Sequence, residues 1–166
     1  QSKPGAASVE DFGRIISGRV QALARAHDQL TADNFKPVLL SSIIHTEVSA
    51  YIGNKASRVD VRGPALTVEA SAFSTLALVF HELVTNSAKY GALSDSSGSV
   101  LVETVIDADG NCRITWRESG GPAVVAPTRR GFGTTIIERS IPHDLGGEAR
   151  LDYRLSGLVA SFLLPE

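Results

Sequence analysis

The chain has 166 residues, 43% of them hydrophobic and 20% charged, and 16 Lys and Arg against 18 Asp and Glu give a formal charge of −2. That length supports one core without staples, and a lone cysteine, Cys112, excludes a disulfide framework or a cysteine zinc site and fits a reducing, cytoplasmic setting. Dispersed Lys and Arg argue against nucleic acid as a partner, no apolar run approaches the ~20 residues that span a bilayer, and no signal peptide opens the chain.

Met is absent and residue 1 is Gln, so the chain reads as a piece of a longer protein. Residues 1–8 have loop composition. From Val9, apolar residues recur at steps of three and four (Phe12, Ile16, Leu23, Ala26, Leu30), a heptad seam interrupted by Arg19 and widened by Ile15, Val20 and His27. Such a face predicts either a helix packed on its own domain or one half of a helical hairpin. TADNFKP breaks the period, with Asp33 or Asn34 available to cap a second helix and Pro37 tolerated in its first turn. Val38, Leu39, Ile43, Ile44, Val48 and Tyr51 form the apolar set of that helix, which ends at Gly53-Asn54.

Residues 59–69 predict one or two short strands around Gly63-Pro64. A helix over 71–90 follows, its buried face drawn from Phe73, Leu76, Ala77, Phe80, Leu83, Val84 and Ser87. Alternating strands come at about 98–106 and 112–118 around the turn DADGN, then a Gly/Pro-rich loop over 119–133 and a helix over about 133–145. The last strands, EARLDYRL and LVASFLL, flank Ser156-Gly157. Without a regular βαβ beat, this order favours an α+β layering, with helices on one face of a sheet, over a doubly wound parallel sheet.

In FHELVTNSAKYGALS, helical spacing places Glu82, Asn86 and Lys89 on one face. An Asn carbonyl is a hard oxygen ligand suited to Mg²⁺, a Lys is a point charge for phosphate, and a Glu can orient a proton or a metal-bound water. Tyr90 and Gly91-Ala92 would close the helix with an aromatic wall and a tight turn. Downstream, Gly120, Gly121, Gly131 and Gly133 permit close backbone approach, and a helix opening at RRGFGTT offers N–H groups to an anion such as a triphosphate. PAVVAPTR between them reads as a cover, and Glu118 at a strand end could accept from the amino group of a base.

The order of these pieces resembles the nucleotide-binding domain shared by gyrase, the Hsp90 chaperone and histidine kinases. In detail, HELVTNSAKYGALS resembles the N-box of the HWE family of bacterial sensor histidine kinases, with His81 as the H and Trp116 and Glu118 as the W-x-E. RVQALARAHDQL, GGP, GFG, IERS, LGGEARLDY and GLVASFLLP resemble the same family, so the likeness covers about residues 12–165. It implies a two-layer α/β sandwich of the Bergerat type with a mixed sheet, plus an N-terminal helix from the dimerisation hairpin. The implied division is 1–33 for the tail and second helix of the dimerisation and phosphotransfer region, and 34–166 for the catalytic domain.

The resemblance also implies roles. Asn86 would ligate a Mg²⁺ bridging the phosphates of ATP, and Lys89 would contact phosphate or hold the site together. Glu118 would accept from the adenine amino group, Gly120 and Gly121 would admit the base, and Gly131, Phe132, Gly133 and Thr134 would form the lid end. Glu82 would organise metal or proton, His81 would support it, and Trp116 would pack beneath the site.

The family's phosphoacceptor, a His followed by Arg and nearby Asn, has no match here, so the chain is expected to begin in the second hairpin helix. His27 lies on the wrong helix to replace that acceptor, and His45 and His143 match nothing catalytic. The implied function is the ATP-binding domain of a two-component signal-transduction kinase, moving the γ-phosphoryl to a histidine on the same or a partner chain for relay to a response-regulator receiver domain under an upstream sensor. A degenerate, nucleotide-gated interaction module is the alternative. A related ATPase or serine kinase fits the His81 and W-x-E marks less well.

Overall fold

The longest apolar stripe of the chain becomes its central helix, α3 (Ala70–Tyr90), where Phe73, Leu76, Ala77, Val79, Phe80, Leu83 and Val84 are all buried. The computed structural model describes residues 9–126 and 131–166, apart from the side chains of 54–56. Residues 127–130, where the expected cover PAVVAPTR ends, and the leading segment 1–8 fall outside the described residues.

Before α3 come α1 (Val9–Ala32), β1 (Val38–Leu39), α2 (Leu40–Ile52), a 3-10 turn (Gly53–Arg58), β2 (Val59–Arg62) and β3 (Thr67–Val68). After it come a 3-10 turn (Ala92–Ser94), β4 (Ser99–Ile106), β5 (Cys112–Ser119), α4 (Phe132–Leu145), β6 (Glu148–Arg154) and β7 (Gly157–Leu164). The main sheet runs β2-β4-β5-β7-β6, with β2 parallel to β4 and the other neighbours antiparallel, so it is mixed as expected. β1 and β3 form a separate antiparallel pair.

Side chains alternate across a strand, so one face of the sheet can be apolar throughout. Val102 pairs with Trp116 and Trp116 with Ala160, while Ile114 pairs with Phe162, and all five are buried beneath the helices. Ile137 and Ile141 of α4 and Ile43, Ile44 and Val48 of α2 complete that layer.

Two expectations at the front are corrected. Asp33 and Asn34 do not cap α2; Asn34 and Phe35 take left-handed φ values of 52° and 56°, and the Phe35 amide donates back to Leu30 O at 2.7 Å, closing α1. Pro37 lies ahead of α2 rather than in its first turn, because Val38 and Leu39 pair with Val68 and Thr67 and the helix begins only at Leu40.

Helix α1 has two faces. Arg19, Ala22, Ala26 and Leu30 are buried, with Ala26 and Leu30 joining the core formed with α2 and α3. Val9, Phe12, Val20 and Leu23 remain exposed.

Candidate functional site

The polar face of α3 grades from buried to exposed along the helix: Glu82 is 5% exposed, Asn86 is half-buried and Lys89 is open to solvent. Burial of Glu82 departs from a plain amphipathic face. It arises because α1 lies across the helix and Arg19 reaches down to it, donating from Nε to Glu82 Oε1 at 2.5 Å and from Nη2 to Oε2 at 3.1 Å. Asn86 and Lys89 make no side-chain hydrogen bond among the described residues, so the amide and the ammonium are available for a ligand.

One step back on the helix, His81 is also buried. Its Nδ1 lies 3.1 Å from Glu47 Oε2, and because an ionised carboxylate only accepts, the Nδ1–H donates. Glu47 takes further hydrogen bonds from Arg25, at 3.3 Å to Oε1 and 2.7 Å to Oε2. Burial pushes the Glu47 carboxyl up, but the hydrogen bonds from His81 and Arg25 outweigh it and hold the group below its ordinary range. Gly18 of α1 fits against the His81 ring, where an added Cβ would stand 3.4 Å from Nε2.

At the far end of α3 stands Glu118, carried on the buried face of β5 and 4% exposed. Its Oε2 accepts from the Ala92 amide at 2.9 Å and its Oε1 from the Trp116 indole at 3.2 Å. Gly91 packs directly on it, since a Cβ there would fall 2.1 Å from Oε2. The loop holding Ala92 is fixed by Arg58, which donates to the carbonyls of Gly98 at 2.7 Å, Ala92 at 2.9 Å and Asp95.

The glycines differ in what they admit. Gly120 has a left-handed φ of 71°, and a Cβ on Gly121 would fall 2.5 Å from Ala92 Cα, so both let the strand end turn closely around that loop. At the start of α4, Gly131 has open space, Phe132 is exposed, and a Cβ on Gly133 would stand 2.4 Å from Glu82 Oε2. Thr134 in the same turn is half-buried. Tyr90 is exposed at the end of α3, and Trp116 is wholly buried beneath Glu118. The structure thus gathers Glu82 with Gly133, and Glu118 with Gly91 and Trp116, while His27, His45 and His143 are exposed elsewhere.

Four site residues were not singled out from the sequence as site residues: Arg19, Arg25, Glu47 and Arg58. Arg19 announced itself as a charge in an apolar seam and Glu47 as an acid between buried Ile44 and Val48, whereas Arg58 carries no comparable signal.

Residues 1–65 match the family model for HWE histidine kinases. Those residues carry the HWE histidine kinase pattern. A blue-light-activated histidine kinase of Brucella ovis is 33% identical over 159 residues, covering 94% of this chain and 32% of that protein. The chain therefore spans about a third of the length of such relatives. Among solved structures, the histidine kinase domain of the Erythrobacter litoralis EL346 blue-light-activated histidine kinase aligns with a TM-score of 0.68 at 18% identity, covering 90% of this chain and 73% of that one. The catalytic domain of histidine kinase ThkA aligns with a TM-score of 0.60 at 19% identity, covering 79% and 95%. The likeness to the solved structures is one of fold, and among the described residues no helix is long and apolar enough to cross a membrane.

Proposed function

We propose that residues 34–166 are the Mg-ATP-binding catalytic domain of a sensor histidine kinase and that residues 1–33 are the tail and second helix of its dimerisation hairpin. The observation that carries the reading is the line of groups along α3. Glu82, half-buried Asn86 and exposed Lys89 follow one another, and Gly91 at the helix end abuts the buried carboxylate of Glu118.

The residues present suit Mg-ATP. Asn86 offers a hard amide oxygen that would suit Mg²⁺, and exposed Lys89 offers a point charge that would suit phosphate. When bound, Mg²⁺ would neutralise charge on the phosphates. Asn86 would be its protein ligand, Lys89 would meet phosphate, and Tyr90 would wall the site. Glu118 would accept from the adenine amino group, with Gly120 and Gly121 shaping the loop beside it. Gly131, Phe132, Gly133 and Thr134 would close over the phosphates, while Glu82 and His81 organise the inner end. Phosphoryl transfer asks chiefly for positioning and charge neutralisation, so no covalent nucleophile is needed here.

The acceptor histidine would lie on a hairpin helix of the same or a partner chain, and a cytoplasmic receiver domain would take the phosphate onward under control of an upstream sensor. A nucleotide-gated module without transfer is not favoured, because Asn86, Lys89 and the lid-end glycines are all present. Calorimetry tests the proposal: the chain should bind ATP in the presence of Mg²⁺ and bind GTP at least tenfold more weakly. Equal affinity for the two nucleotides would remove the base-reading role of Glu118.

A further inference from the structure

We infer that Arg19, contributed by α1, is a positioning residue of the nucleotide site: its guanidinium fixes the Glu82 carboxylate and seats Phe132 at the start of α4, so that docked α1 sets how the lid end is held. The inference rests on the nucleotide-binding reading only for its consequence on affinity.

Arg19 interrupts an otherwise apolar seam yet is 9% exposed, and a guanidinium is retained in such a place only when paired. Its fork grips both oxygens of Glu82, a geometry open to Arg and closed to Lys. The Arg19 Cζ lies 4.7 Å from the centroid of the Phe132 ring. Phe132 is 67% exposed, so little else holds it. Beside it, Gly133 approaches so closely that a Cβ would stand 2.4 Å from Glu82 Oε2 and 3.6 Å from Arg19 Nη2. The first turn of α4 therefore rests on the ion pair itself. Ala22 and Ala26, on the same face of α1, are small enough to bring the helix against the domain, and Arg25 anchors it separately on Glu47. Of these contacts, only Arg19 joins α1, α3 and α4.

Hydrogen exchange on the 166-residue chain without nucleotide tests the seating, read at the Thr135 amide, which donates to Gly131 O. Arg19→Met should speed that exchange about tenfold while the amides of β4 and β5 keep their protection. Arg19→Lys should fall between, and Phe132→Ala should match Arg19→Met. The double variant should exchange no faster than either single one, because both changes break one contact. Unchanged exchange in Arg19→Met, or additive effects in the double variant, overturns the inference. Should Arg19→Met lose strand protection, Arg19→Lys with Phe132→Ala carries the same cycle. Mg-ATP affinity should fall about tenfold in Arg19→Met, and an unchanged affinity beside faster exchange also defeats the positioning role. Absence of Mg-ATP binding by the unmodified chain would refute the proposed function and leave the exchange result to stand alone.

Discussion

The indole N–H of Trp116 donates to Glu118 Oε1 across 3.2 Å, and the two side chains point to the same buried face of β5. Residues two apart on a strand share a face, so the W-x-E spacing is what places donor beside acceptor. Trp116→Phe retains most of the apolar area and removes the donor, leaving Glu118 with the Ala92 amide. A loss of about 1–3 kcal/mol in urea unfolding is expected, the cost of a buried acceptor deprived of a partner. ATP should also lose its preference over GTP as Glu118 becomes free to turn. A destabilised variant with unaltered nucleotide preference would confine Trp116 to packing.

Asn86 tests the proposed metal role. Its half-buried amide makes no hydrogen bond among the described residues and stands between Glu82 and Lys89, so Asn86→Ala should cost little stability, within about 0.5–1 kcal/mol. Binding of ATP should nevertheless lose its dependence on Mg²⁺ and weaken at least tenfold. Titrations with Mg²⁺ and with a chelator separate the two effects, and an affinity that still responds to Mg²⁺ in the variant would move the metal away from Asn86.

Glu47 predicts a pH dependence of stability. Its carboxyl is held below the ordinary range in the folded chain, so its contribution is complete above the ordinary value, near 4.5, and is lost as pH falls through the lower folded value. Glu47→Gln should be less stable by about 2 kcal/mol at pH 7, a figure kept modest because Arg25 is partly exposed. The gap to the unmodified chain should narrow on acidification below pH about 4. Parallel denaturation curves measured from pH 3 to 7 with a constant gap would show that His81 and Arg25 do not draw on the charge of Glu47.

The sheet and α3 were legible in the sequence because their burial is one-sided and periodic: Val100, Val102 and Thr104 alternate on β4, and Phe73, Leu76, Phe80 and Leu83 keep helical spacing on α3. Candidate ligands were legible for the same reason, since Glu82, Asn86 and Lys89 sit out of phase with the apolar stripe. What α1 does was not. Its seam suited two partners equally, and only the fold shows Arg19 turned onto Glu82 while Phe12 and Val20 face outward. Asn serves at both ends of helices, so Asn34 alone does not say which end it marks, and its left-handed φ decides for the end. Glu47 and His81 lie 34 residues apart, a separation no local pattern spans.

Arg58 was wholly unannounced, because its partners are backbone carbonyls 34 to 40 residues away. By holding the carbonyls of Ala92, Asp95 and Gly98 it fixes the loop whose Ala92 amide donates to Glu118, so under the proposed function it would act on the base end of the site through backbone alone. Arg58→Met keeps much of the stem and removes all three bonds, with an expected loss of about 2 kcal/mol in thermal or urea unfolding. The same change should weaken ATP several-fold more than it weakens inorganic triphosphate, because the proposed phosphate contacts, Asn86 and Lys89, are left intact. Arg58→Lys can restore only part of the fork and should recover part of both losses. Equal weakening of ATP and triphosphate would mean that the loop supports the whole domain rather than the base-reading end.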